Sequence, residues 1–349
     1  EVSSILYAMR VLRFKDEIFL NGLCEHLPHE LARLSEQHLS NVLYALAVLL
    51  FRHDAFLDAA CSHIPGRLGE FTAQGISNSV YALALLAFRH DIFLGAVSTH
   101  SAPKLLDFTP QGISNTVYGM GLLRFVSDDF LRASCVAASA RLPEFRAQNI
   151  SNTAYALSLL EHFDHNFLEA VCEHVPSRLS DFKAQELANL TYALGLLGFR
   201  HIHFLQVMCE HACARLSEYN SQNVSNTVLA MRLLDFRDEA FLEAVSDYSL
   251  KHLPSFTAQG LSSIALAFAE LEFRREELLS ALSRQVMTML PEFGEQNLSN
   301  VIWALGILHF RHASLLRSVS RILPSTIGKF EVVGLARIAH GLAHMCPQL

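Results

Sequence analysis

Phe71-Thr72-Ala73-Gln74-Gly75-Ile76-Ser77-Asn78-Ser79-Val80-Tyr81-Ala82-Leu83-Ala84-Leu85-Leu86 decides the fold. Its apolar residues fall at helical spacing behind a Thr whose hydroxyl can cap the first turn. The same pattern returns at a fixed interval. Gln37, Gln74, Gln111, Gln148, Gln185, Gln222, Gln259 and Gln296 stand 37 residues apart, with no insertion between the first and the last. In the copy that begins at Thr109, Pro110 takes the first helical position, where its missing N–H leaves nothing unsatisfied. A second helix is predicted from about Asp91 to Leu105, and Phe-Arg-His-Asp forms the turn between the two.

Each unit therefore reads as a helical hairpin. A period of this length signals a solenoid, because a lone hairpin cannot bury its apolar face without a stacked neighbour. The expected fold is all-α, a right-handed α-solenoid of about nine 37-residue hairpins. Residues 1–349 are expected to form one array, cut within a repeat at the start and ending in a degenerate repeat where Val333 replaces the Gln.

Composition supports this reading and narrows the function. Of 349 residues, 51% are hydrophobic and 17% charged, which excludes wholesale disorder. With 27 basic and 34 acidic side chains the formal charge is −7, so an indiscriminate polyanion binder is disfavoured and any nucleic-acid surface must be local. No uninterrupted apolar run is long enough to span a membrane, and no membrane association is expected. The chain opens on Glu1-Val2-Ser3-Ser4 and shows no basic or amphipathic targeting leader.

Residues 37 apart can be compared as columns. Of the 24 Phe, eight share the column of Phe14, Phe51, Phe88, Phe125, Phe199, Phe236, Phe273 and Phe310, seven follow Phe19 to Phe241, and seven more include Phe71, Phe108, Phe145 and Phe330. Their repetition assigns them to the core. Cys24-x-His26, Cys61-x-His63, Cys172-x-His174 and Cys209-x-His211 look like metal half-sites, but residues i and i+2 point to nearly opposite sides of a helix. These thiols read as compact core residues, and no metal, cofactor or small-molecule substrate is assigned.

Polar columns carry the candidate sites. Asn41, Asn78, Asn115, Asn152, Asn189, Asn226 and Asn300 sit in mid-helix, where Asn is a poor choice. Two roles stay open for them: a hydrogen-bond ladder between repeats, or a row of amides facing a ligand. Variation concentrates one residue after the Gln, where His38, Asn149, Glu186, Asn223 and Asn297 alternate with Gly; one turn on stand Thr116, Thr153 and Thr227. Together these are the candidate base-reading positions, beside helix N-termini that favour anions.

A basic stripe occupies the turn: Lys15, Arg52, Arg89, Arg200, Arg237, Arg274 and Arg311, broken only at Val126 and Phe163. Its six Arg are the phosphate candidates; acids such as Asp54 and Asp91 leave a plain solvated edge as the other reading. In a second column, Arg67, Lys104, Arg141, Arg178 and Arg215 precede an acid by three residues and are expected to pair within their own repeat.

The pattern Phe-x-x-Gln-x-Leu/Ile-Ser-Asn-x-x-Tyr/Trp-Ala-Leu, as in residues 145–157 and 293–305, resembles the heptatricopeptide and octotricopeptide repeats of organellar RNA-binding proteins. That resemblance covers nearly the whole chain. It implies modular, sequence-selective binding of single-stranded RNA in mitochondria or plastids, in transcript stability, processing, translation or ribosomal RNA maturation. Related proteins often carry a C-terminal RAP domain, which no part of this chain resembles. Leu229, Ser263, Leu266, Arg337 and His340 depart from the pattern toward the C-terminus. No Gly-x-Ser-x-Gly, His-Glu-x-x-His or phosphate-loop motif is present, so no catalysis is expected. A protein-interaction scaffold is the alternative function, since hairpin solenoids serve both roles and the acidic total fits it.

Overall fold

The computed structural model describes residues 2–345, and all of its regular structure is helical. Two compact units divide the chain, Glu1–Val175 and Pro176–Leu349. In the first lie α1 (Val2–Leu12), α2 (Glu17–His26), α3 (Glu36–Val48), α4 (Asp54–His63), α5 (Ala73–Leu85), α6 (Asp91–Ser101), α7 (Pro110–Leu122), α8 (Asp128–Ala140), α9 (Ala147–Leu159) and α10 (His165–His174). The second holds α11 (Ala184–Leu197), α12 (Ile202–Ala214), α13 (Ser221–Leu233), α14 (Glu239–His252), α15 (Ala258–Glu270), α16 (Glu276–Thr288), α17 (Glu295–Ile307), α18 (Ala313–Thr326) and α19 (Val332–Met345). Odd-numbered helices are the first of each hairpin and even-numbered helices the second.

Local chemistry sets both ends of each helix. Thr72 and Thr109 cap α5 and α7 by accepting the N–H of Gly75 and Gly112 at 3.1 and 3.0 Å. The turn His caps the second helix in the same way: His53 and His90 accept through Nδ1 from Phe56 and Phe93, both at 3.2 Å. The second helix of the third hairpin stops at Ser101, short of the predicted Leu105, and continues as a 3₁₀ stretch over Ala102–Asp107. Pro103 accounts for the early stop, because it has no N–H to continue the α-helical ladder and instead takes one of the first positions of the 3₁₀ stretch.

The first helices end in a recurring wrap. Phe51 N–H bonds back to Leu46 O and Leu50 N–H to Ala47 O, the pair of bonds that closes a helix through a left-handed residue. Such residues stand 37 apart, from Arg13 (φ 50°) through Leu50, Ala87, Arg124, Glu161, Asp235 and Glu272 to His309, with Gly198 as the lone glycine in the column.

Packing is two-layered in each unit. Within the first, α1, α3, α5, α7 and α9 stack in order, and α2, α4, α6, α8 and α10 form the other layer; the second unit repeats this with its odd and even helices. Small residues let the first helices approach closely: a Cβ added at Gly121 would sit 2.9 Å from Ala156 Cα, and one at Gly195 would sit 2.9 Å from Ala230 Cα. Between the layers, Phe56, Phe93, Phe130, Phe167, Phe204 and Phe241 are fully buried. Phe14 and Phe19 depart from the core assignment and are exposed, because they belong to the first hairpin, which has a stacked neighbour on one side only. Cys24, Cys61, Cys135, Cys172 and Cys209 are buried free thiols, as compact core residues should be; Cys346 lies outside the described residues. No described helix is long and apolar enough to cross a membrane.

Candidate nucleic-acid interface

Most of the basic stripe is engaged within the protein. Arg52 pairs with Asp54 at 2.6 Å and donates to Ala87 O in the next repeat at 2.9 Å; Arg89 repeats this with Asp91 and Arg124 O, at 2.6 and 2.9 Å. Arg237 bonds Glu239 at 2.9 Å and Glu272 O at 3.3 Å, and Arg274 bonds Glu276 at 2.7 Å. The guanidinium of Arg52 holds the Asp54 carboxyl below its usual range, chiefly through their hydrogen bond. These four Arg staple one repeat to the next or pair with a neighbouring acid, while their side chains stay partly exposed. Arg200 and Arg311 differ: Ile202 and Ala313 replace the acid two residues later, and among the described residues neither makes an ion pair.

In the second basic column Arg67, Arg141, Arg178 and Arg215 pair with their acids as expected and some reach further, whereas among the described residues Lys104 makes no ion pair with Asp107 and lies 3.1 Å from His100 Nε2. Arg67 bonds Glu70 at 2.7 Å and Leu34 O of the preceding repeat at 3.0 Å; Arg141 bonds Glu144 at 2.7 Å and Phe108 O at 2.8 Å. Both are inter-repeat staples.

The position after the Gln is the third helical residue, and its side chain turns back on its own cap. Asn149 Oδ1 accepts the N–H of Arg146 at 3.1 Å, Asn223 Oδ1 that of Asn220 at 3.2 Å, and Glu186 Oε2 that of Lys183 at 2.9 Å. This is the reciprocal half of a capping box. Asn149 and Asn223 are buried, 7% and 6% exposed, and Glu186 is partly buried. Thr116, Thr153 and Thr227 are buried and donate to the carbonyls of Gly112, Asn149 and Asn223 at 2.8, 2.8 and 2.9 Å. Of the base-reading candidates, His38 is exposed, 3.0 Å from Ser35 Oγ, and Asn297 is partly buried. Asn149, Asn223 and the three Thr are thus buried and bonded within their own helices, where they serve caps and helix contacts.

The Asn row behaves differently. Asn41 is exposed, and Asn78, Asn115, Asn152, Asn189 and Asn226 are partly exposed; among the described residues none makes a side-chain hydrogen bond. The ladder between repeats is therefore not formed. Asn300 is buried instead and accepts from Arg337, which fills the same column in the last repeat.

What shares a face with these amides follows from helical geometry. Gln37, Asn41, Tyr44 and Val48 lie at i, i+4, i+7 and i+11 on α3, so they form one stripe. Gln37, Gln74, Gln111 and Gln148 are exposed, Tyr44, Tyr81 and Tyr118 are partly exposed, and Val48, Leu85 and Leu122 are exposed. In the first unit the stripes align into rows: Tyr81 and Tyr118 rings are 6.4 Å apart, and Tyr118 and Tyr155 rings 6.5 Å. Burial followed by its two Tyr neighbours raises the Tyr118 hydroxyl above its ordinary value, keeping it neutral. Arg10 lies over the Tyr7 and Tyr44 rings, 4.7 and 5.2 Å from their centroids. The Tyr row was visible in the repeat motif; its exposure was not, because an aromatic at helical spacing reads first as core.

Neutral amides and flanking aromatic rings repeated on stacked hairpins are the surface of a helical-repeat protein. The chain belongs to the family described as RNA-editing substrate-binding complex 8 protein (RESC8), whose family model matches residues 8–348. By that description the family is RNA-associated. No curated protein matches the chain.

Proposed function

We propose that this protein is a non-catalytic, RNA-binding subunit of an RNA-editing substrate-binding complex, acting in an organelle, the mitochondrion in the first place. Family membership supports the RNA-editing complex, and the resemblance to organellar repeat proteins supports the compartment. The carrying observation is the row of Asn amides without intramolecular partners beside the Tyr row of the first unit. Asn in mid-helix is unfavourable by a few tenths of a kcal/mol to about 0.7 kcal/mol each. Its repetition without any internal bond is accounted for by an external one. Amides can bond base edges, riboses or phosphates, and Tyr rings stack on bases of any identity.

In this reading the RNA is single-stranded and its contacts are largely independent of sequence. A side chain that recurs in nearly every repeat cannot discriminate between bases, and the columns that do vary are mostly buried. In the first unit the turn residues Arg52 and Arg89 are held by Asp54 and Asp91, so phosphate neutralisation there contributes little and salt dependence is shallow.

The exposed Val48, Leu85 and Leu122 favour a second reading, a protein-docking scaffold within the same complex. Competition binding separates the two. The full chain, titrated with labelled single-stranded and double-stranded RNA at several salt concentrations, should prefer the single strand, because stacking needs unpaired bases. Equal binding of both forms, or binding untouched by the double variant Asn115→Ala/Tyr118→Ala, would leave the scaffold reading in its place.

A further inference from the structure

Between Phe14 and Phe310 the Phe column of the inter-helix turn is interrupted once, by His162. Its backbone is unchanged: His162 N–H bonds Leu157 O at 3.0 Å, as Phe51 N–H bonds Leu46 O. An imidazole therefore stands where the other repeats from Phe14 to Phe310 place a phenyl ring.

That one ring meets two further metal-ligating groups. One donor atom each from Cys135, His162 and Asp164 falls within 4.8 Å of the other two. Cys135 lies on α8, 1% exposed; Asp164 is the N-cap of α10, and its Oδ1 accepts the Phe167 N–H at 2.9 Å. A second carboxylate is near, with Asp128 Oδ1 3.9 Å from His162 Nδ1. Equivalent places elsewhere in the first unit lack the set: Cys24 corresponds with Phe51 and His53, and Cys61 with Phe88 and His90.

We propose that Cys135, His162 and Asp164 form a binding site for a zinc-type divalent cation that ties the fourth hairpin to the fifth. Sulfur, imidazole nitrogen and carboxylate oxygen from three residues make a mixed set of the kind zinc accepts, with the fourth position left to water or Asp128. The separations within the cluster are compatible with ligands about a metal at 2.0–2.3 Å after small side-chain movements. The site differs from the Cys-x-His pairs, whose side chains diverge, and does not rest on the RNA reading.

Cobalt titration of the reduced, metal-stripped full chain tests it. One equivalent of Co²⁺ should give a thiolate-to-cobalt charge-transfer band in the near ultraviolet, and Zn²⁺ should bleach it. Cys135→Ser should abolish the band, and Cys61→Ser should retain it. His162→Phe restores the column's phenyl ring, so the variant is expected to fold, and its apparent Co²⁺ affinity should fall by at least about tenfold. Absence of the band in the parent chain, or its persistence unchanged in Cys135→Ser or in folded His162→Phe, would overturn the proposal.

Discussion

Arg52 donates from Nη1 to the carbonyl of Ala87, 35 residues later, at 2.9 Å, and Ala87 holds a left-handed φ of 49°. The bond joins the turn of one hairpin to the end of the first helix in the next, and Asp54 orients the same guanidinium. Removing it in Arg52→Gln should lower stability by about 0.5–1 kcal/mol, the range of an exposed charge pair. Chemical denaturation measures that loss. RNA affinity and its salt slope should not change; a flattened slope would return Arg52 to the phosphate contacts.

Ala87 is itself a target. Its exposed methyl makes no packing contribution that offsets the left-handed backbone, a region that only Gly visits freely. Ala87→Gly should raise stability by about 0.5–1 kcal/mol, read as a higher denaturation midpoint at unchanged slope.

The opposite substitution in a packed seam should do harm. Gly121→Ala places a methyl 2.9 Å from the Cα of Ala156, where backbone and not a flexible side chain must yield. A loss of about 1–3 kcal/mol is expected in thermal or denaturant unfolding, as for other overpacked sites.

On the exposed face, Tyr118→Ala should weaken single-stranded RNA binding by about 1–3 kcal/mol, the worth of one base stack. Tyr118→Phe should preserve most of the affinity, since the ring supplies the stacking. Fluorescence anisotropy with a homopolymer RNA gives both values, and folding is checked by circular dichroism.

Thiol chemistry should follow burial. Desolvation raises Cys24 and Cys61 to about 12 from an ordinary value near 9, so at pH 8 the native chain holds almost no thiolate at either. Because the neutral thiol is what the fold favours, their contribution to stability is intact below pH 9 and declines as pH rises toward 12. Alkylation at pH 8 followed by peptide mass spectrometry should label partly buried Cys213 before Cys24 or Cys61, and all three together in denaturant.

Much of what depends on neighbours along the chain was written in the sequence. The interval between Gln37 and Gln74 fixed the repeat, Thr72 and Pro110 fixed helix starts, and the Phe56 column fixed the buried side, because caps and amphipathic periods act over one or two turns. Arg67 and Glu70 were legible as a pair for the same reason. Left-handed closure at Leu50 or Ala87 was not, since Gly198 is the only position of that column to carry the residue usually found there.

Tertiary structure decided which polar columns are spent inside the protein. Asn149 and Asn78 are the same residue type on equivalent helices, three residues apart in register, and nothing in the sequence orders them. One turns back on its cap and is buried; the other faces outward without a partner. The physical reason is the stacking of first helix on first helix, which covers the third helical position and opens the stripe of Gln, Asn and Tyr. Stacking likewise brings Ala87 O within reach of Arg52 and sets Cys135 beside His162, contacts across 35 and 27 residues that only the packed repeats create.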